Sequence, residues 1–376
     1  MKFQAPKAAL QTALQTALSA VPNRATLQIL NNFAMRLEGN FLEVSATDLD
    51  LGIRVRIDVQ GERDGAVVIN AHKFFDQIKS LVDPAVTTIS VDVQDYLVTI
   101  RWSDKGKATI TGFDASDFPP FPEVSEGDAF ELSKAELAFL ADKALFAVST
   151  DTTRPTLSGV FLESKESKLT MVATDGHRLG KAFLTQETAT PLSKGVIIPP
   201  KAIQNILRNS KNEATVEAHI SATHVLFASD NVQVISKLIE GPYPKYENVI
   251  PQKFERTVQV HTTEFQNKLR SVLIMANART RQIQLQLSGN EMELIAKDQS
   301  YGGESTEALA VTHTGEGTFS IGFNGQYLSE ILGMCPSDEV ILKMNSPVGA
   351  CIIEPVGEGL DFTFLLMPLR LVEEGN

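Results

Sequence analysis

Internal repetition constrains this chain more than any other feature of it. The stretch "LEGNFLEVSATD" (37–48) returns as "LSGNEMELIAKD" (287–298), keeping Leu, Gly-Asn, Glu and the final Asp at an offset of 250. Between them lies "SKLTMVATDG" (167–176), whose Ala173, Thr174 and Asp175 match Ala46, Thr47 and Asp48 at an offset of 127. The same offset carries Phe3 to Phe130 and Leu10 to Leu137. A second landmark recurs three times: "GAVVINAHKFFDQIKSL" (65–81), "GVIIPPKAIQNILRN" (195–209) and "GTFSIGFNGQYLSEILG" (317–333). Each begins at a glycine, runs as a short apolar strand and passes into a segment of helical period. The 376 residues also exceed the size at which one core keeps growing, so several domains are expected.

Each copy follows one plan: a helix, strands, a strand–helix unit, more strands and a proline-rich exit. Leu10, Leu14, Leu18 and Val21 share a stripe with Ala13 and Ala17. In the second copy Ser133 and Glu136 form a capping-box pattern ahead of Leu137, Leu140, Ala141, Ala144 and Leu145. The third opens with a helix from about Thr262 to Ala276 that puts Phe265, Leu269 and Val272 on one face. "TISVDVQDYLVTIRW" (88–102), "TVEAHISATHVLFAS" (215–229) and "EVILKMN" (339–345) alternate as half-buried antiparallel strands do. Glu38-Gly39-Asn40 and Ser288-Gly289-Asn290 read as turns, and "YGGES" (301–305) as another. The pro-rich, polar stretches 117–128 and 241–253 mark boundaries. The expected fold is α+β: three tandem domains over 1–125, 126–253 and 254–376, each with two helices against antiparallel sheet.

Composition excludes several classes. No run approaches a membrane helix, and "MKFQAPKAALQ" lacks the basic and apolar regions of a signal peptide, so a cytoplasmic location is expected. Cys335 and Cys351 show no C-x-x-C spacing, which argues against a disulfide framework or a zinc knuckle. The six histidines form no metal-ligand pattern, and no phosphate-cradling glycine motif appears, so no metal and no cofactor are expected.

The stretch "VATDGHRLG" (172–180) brings Asp175, His177 and Arg178 together and invites a catalytic reading. The repeats weigh against it. Asp recurs at Asp48 and Asp298, where a strand enters a turn, among different neighbours each time. That is the behaviour of a turn-capping carboxylate. Gly176, His177, Arg178 and Leu179 belong to the second copy only, so a copy-specific function would lie there. An enzyme cleft and a repeat-built scaffold stay open as alternatives, but nothing positive indicates catalysis.

The ordered set of "TLSGVFLE", "TMVATDGHRL", "GPYPKYENVIP" and "FLLMPLRL" (364–371), on three α+β repeats, resembles the bacterial beta sliding clamps, processivity subunits of DNA polymerase III. The resemblance covers essentially the whole chain. It implies a non-catalytic subunit that pairs head to tail with a second copy, making a ring of six domains around duplex DNA. It also implies partners: the polymerase III catalytic subunit, the clamp loader, and other polymerases and repair proteins. These would insert a short peptide between the second and third copies. The matching positions are Leu157, Thr174, Gly176, His177, Arg178, Leu179, Pro244, Asn248, Val249, Ala350, Leu365, Met367, Pro368, Leu369 and Arg370. Apolar members would build the cleft, while Arg178 and Arg370 would hold polar peptide groups at its rim. Asn248 stands where relatives carry a basic residue, and "VEEGN" follows the family's usual end.

Net charge is −12, yet the six helix-period segments together carry +7, leaving −19 for the rest. Basic helices under an acidic exterior suit a protein that encircles DNA without gripping it, although helices also favour Lys and Arg on general grounds. By resemblance, Arg24 faces DNA, and Lys201, Arg208 and Lys211 are further candidates. Pro155 and Thr156 replace aromatic residues that touch DNA in some relatives. Ring closure would set Ala108 and Ile110 against Ile274 and Met275.

Overall fold

The computed structural model describes residues 1–124, 127–185, 192–298, 302–357 and 361–371. Its helices are α1 (Lys7–Leu18), α2 (Ala71–Lys79), α3 (Lys134–Ala144), α4 (Pro200–Asn209), α5 (Thr262–Leu273) and α6 (Gly325–Gly333), two per repeat. Of the stripe expected on α1, Leu10, Ala13, Leu14 and Ala17 are buried, Leu18 is half-buried and Val21 lies beyond the end of the helix. The strand–helix landmark recurs three times; the first and third strands run directly into their helices, and Pro199 alone separates the second strand from α4. Asn70 accepts from the Lys73 amide at the start of α2, and Asn324 accepts from Gln326 and Tyr327 at the start of α6. Such caps satisfy amides the helix itself leaves free and contribute about 1 kcal/mol each. The capping box also forms, with Glu136 accepting from the Ser133 amide at 2.8 Å.

Two expectations need correction. α5 stops at Leu273, so Ile274 and Met275 lie beyond its last turn. "YGGES" is no simple turn: Gly303–Ala310 is a strand that pairs along Glu291–Asp298, Gly303 opposite Asp298. Residue 301, like the expected "VEEGN" extension, lies outside the described residues.

The strands make four antiparallel sheets. Five-stranded and four-stranded sheets belong to the first and third repeats, while the two larger sheets are each shared between repeats. In the eight-stranded sheet, Leu51–Asp58 of the first repeat pairs with Val232–Lys237 of the second, Gly52 opposite Ile235. In the nine-stranded sheet, Arg178–Thr185 of the second repeat pairs with Phe362–Leu366 of the third, Leu179 opposite Leu365. This sharing is why the chain divides by compactness into two units that cut through the middle repeat: 1–137 with 198–238, and 138–197 with 239–376. No helix among the described residues is long and apolar enough to cross a membrane. Both cysteines are free and buried, and burial pushes each thiol up to about 12.

Candidate functional site

In the second unit four of the expected positions, Leu179, Ala350, Leu365 and Met367, share one apolar cluster. Leu179 and Leu365, neighbours across the shared ladder, pack with Val172, Tyr246 and Ile352. Phe161, Tyr243, Ile250, Phe254, Ala350 and Met367 lean on this floor from its partly exposed margin. The Tyr246 hydroxyl donates to buried Glu163 at 2.6 Å, so the inter-repeat segment is pinned to the sheet by a satisfied polar contact. Burial pushes the Tyr243 and Tyr246 phenols up, Tyr246 further through its bond to Glu163.

Next to Leu179 of this cluster lies the turn that opened the question of catalysis. Asp175 Oδ1 accepts from the His177 and Arg178 amides at 2.8 and 3.0 Å. Asp48 serves its own turn the same way, accepting from Asp50 and Leu51 at 3.0 and 2.7 Å. The carboxylate is therefore a turn cap, as the repeats indicate. Gly176 sits at φ +91°, a region that strains residues with a Cβ. Thr174 Oγ1 closes the turn by donating to the Arg178 carbonyl at 2.7 Å.

Directly beside the turn runs the segment Met367–Arg370. The Met367 amide donates to the His177 carbonyl and the Leu369 amide to the Gly322 carbonyl, both at 2.8 Å. A Cβ at Gly322 would lie 2.7 Å from the Leu369 oxygen, so only glycine lets this segment lie so close. His177 and Arg370 are exposed, and Met367, Pro368 and Leu369 are half-buried. Leu157 is buried, while Pro244, Asn248 and Val249 are exposed along the inter-repeat segment.

Arg178 differs from its expected role at the rim. Its guanidinium is engaged by the carboxylates of Asp175 and Glu330 and lies 4.1 Å from the Tyr327 ring centroid and 5.3 Å from that of Phe146. With its side chain 12% exposed, it ties the turn to α6 and has little surface left for a ligand. Lys143, on α3, makes a second tie to α6 by donating to the Met334 carbonyl at 2.5 Å, and burial lowers its pKa. A cation there also meets the negative end of the helix dipole.

In the first unit Lys201 and Arg208 are exposed on α4, seven residues apart and so on one face. Arg24 and Lys211 are exposed as well, Lys211 reaching Asp230 at 4.0 Å. Ala108 and Ile110 lie half-buried on Lys107–Thr111, an edge strand of the five-stranded sheet. Ile274 and Met275, in the other unit, are 79% and 45% exposed, large values for apolar side chains. Among the described residues no cluster of acidic, His or Cys side chains could hold a metal.

Sequence reasoning missed Phe161, Tyr243, Tyr246, Ile352, Tyr327 and Glu330. One signal could have found the tyrosines: both inter-repeat segments read aromatic-Pro-x-aromatic, Phe118-Pro119-Pro120-Phe121 and Tyr243-Pro244-Lys245-Tyr246.

Three copies of one α+β unit joined through shared sheets, with an apolar cluster at the second junction, define a repeat-built clamp subunit. Three family models of the DNA polymerase III beta subunit match in order: the N-terminal domain over 1–122, the central over 131–245 and the C-terminal over 247–370. The chain is 30% identical to the beta sliding clamps of Synechocystis sp. and Caulobacter vibrioides, across 99% of its length and all of theirs. Its fold superposes on the Pseudomonas aeruginosa clamp bound to griselimycin (TM-score 0.92, 28% identity, 99% of this chain and all of that one). The Bacillus subtilis clamp fits equally well (TM-score 0.93, 27% identity, the same coverage). The chain belongs to the DNA polymerase III beta subunit family, the beta sliding clamps.

Proposed function

We propose that two copies of this chain close head to tail into a ring around duplex DNA and that partner proteins dock a short peptide in the cleft at the second junction. The ring tethers a replicative polymerase and does no chemistry of its own; its work is done in the cytoplasm. Retention is topological, so the basic residues Arg24, Lys201, Arg208 and Lys211 need only screen phosphate repulsion, and weak contacts leave the ring free to slide. Ile274 and Met275 supply apolar surface for closure against Ala108 and Ile110. The three domains, over 1–125, 126–253 and 254–376, give the ring six similar sectors.

The observation that carries the cleft is the convergence of Leu179, Ile352 and Leu365 beneath a half-buried Met367. An apolar floor with an adaptable thioether at its margin suits a hydrophobic peptide tail. Fluorescence anisotropy of a labelled Gln-Leu-x-Leu-Phe peptide tests it. Met367→Ala, at a half-buried position, weakens saturable binding about tenfold with the fold intact. Absence of binding to folded wild type sinks the cleft assignment. The ring is tested separately: protein loaded on circular DNA stays bound in high salt and leaves once the circle is cut.

A further inference from the structure

The first two repeats lay matching outward sheet faces beneath matching inter-repeat segments. Across three neighbouring strands of the first repeat, Ala34 lies opposite Ser45 and Ser45 opposite Arg54. At the repeat offset of 127 the second repeat places Phe161 opposite Val172 and Val172 opposite Lys181. The Arg54 guanidinium lies 4.8 Å from the centroid of the Phe121 ring, and the Lys181 ammonium 5.7 Å from that of Tyr246. The two aromatic-Pro-x-aromatic segments therefore correspond, which makes Phe118 the counterpart of Tyr243.

One ring separates the two arrangements. In the second repeat Phe161 stacks flat on Tyr243, with centroids 4.8 Å apart and planes 6° from parallel. That ring also covers Gly195, where a Cβ would come within 2.3 Å of it. The first repeat keeps the aromatic, as Phe118, but counted from the helix caps Ala66 stands in place of Gly195, and Ala34 stands in place of Phe161. A groove of about 500 Å³ opens there, lined by Ala34, Gly65, Ala66, Phe118 and Pro119 among others. Its size falls in the range of ligand sites.

We propose that this groove is a second binding site, taking one aromatic side chain of a partner peptide in the place that Phe161 fills in the second repeat. The ring would lie against Phe118 and beside Ala34 and Ala66. The charges around the groove speak against an anionic ligand. Arg36 pairs with Glu38 at 2.7 Å, and Arg54 meets Glu43 at 3.3 Å while stacked on Phe121. Asp64 adds a further negative charge to the lining. The aromatic residue is therefore flanked by neutral or basic neighbours. None of these residues belongs to the cleft of the second junction.

The test is a ¹⁹F NMR titration of the full-length protein with N-acetyl-5-fluorotryptophanamide, the second-junction cleft being saturated with the Gln-Leu-x-Leu-Phe peptide. Wild type gives saturable broadening of the fluorine line. Ala34→Phe supplies the missing ring from within and weakens that binding about tenfold or more. Ala66→Trp, at an exposed position on the same wall, does the same and serves where Ala34→Phe does not fold. Peptide anisotropy in the same samples reads the other cleft and stays at the wild-type value. No saturable binding by wild type, or undiminished binding in a folded variant of this pair, overturns the proposal.

Discussion

The Arg178 guanidinium donates to the Glu330 carboxylate and so fastens the second repeat's turn to helix α6 of the third. Two residues 152 positions apart thereby hold the turn in place. Arg178 thus serves as a brace, whereas Arg370 is exposed.

The brace predicts unequal mutants. Glu330 is partly exposed, so Glu330→Ala costs about 1 kcal/mol or less. Arg178→Ala costs more, about 2 kcal/mol, because it strips a cation from both carboxylates and removes the stem packed against Tyr327 and Phe146. Urea denaturation of the two singles and the double mutant checks the order, and equal losses would contradict it.

The Tyr246–Glu163 contact predicts a second asymmetry. Tyr246→Phe removes the donor from a carboxylate only 6% exposed and costs about 1–3 kcal/mol, even with Lys165 still 2.7 Å from Glu163. Adding Glu163→Gln recovers part of that loss, because the neutral amide is cheaper to bury. Thermal unfolding of the three variants decides it; a double mutant no better than Tyr246→Phe would count against the account.

A pH effect follows from Asp114. Its carboxylate accepts from the Tyr96 hydroxyl at 2.6 Å and from the Ser116 amide and hydroxyl, which lower its pKa to about 2. The folded value lies below the unfolded one, so the contribution to stability is present above pH ~4 and is lost as pH falls toward 2. Tyr96→Phe moves the Asp114 midpoint up toward the ordinary carboxylate value in a carbon-detected NMR titration. An unmoved midpoint would assign the shift to Ser116 alone.

The thiols offer a simpler check. With both cysteines buried and their pKa values pushed up to about 12, very little thiolate exists at pH 8. A disulfide reagent labels the native protein only as fast as the chain opens, and labels two thiols at once in denaturant. Fast native labelling of either cysteine would show that its surroundings are open.

The helices, the Ser133–Glu136 box and the turn at Asp175 were legible in the sequence because they depend on neighbours within a few residues, and the repeated plan because like residues recur at fixed offsets. What escaped depends on register. Tyr246 meets Glu163 across 83 residues and Arg178 meets Glu330 across 152, distances over which periodicity is silent. The rim role expected of Arg178 came from its matching position in the resemblance and its charge, and neither says which surface a guanidinium faces. "YGGES" misled for a related reason: glycine composition suggests a turn, but ladder pairing with Asp298 draws Gly303 into a strand.

The shared sheets have a consequence for anyone who would cut this chain into its repeats. Each junction is a ladder of five paired positions rather than a tether. Severing it would bare the flank of Leu51–Asp58 or of Phe362–Leu366, a row of unsatisfied amides and carbonyls ready to recruit any passing strand. A lone repeat would be an adhesive fragment, prone to assemble with its own kind.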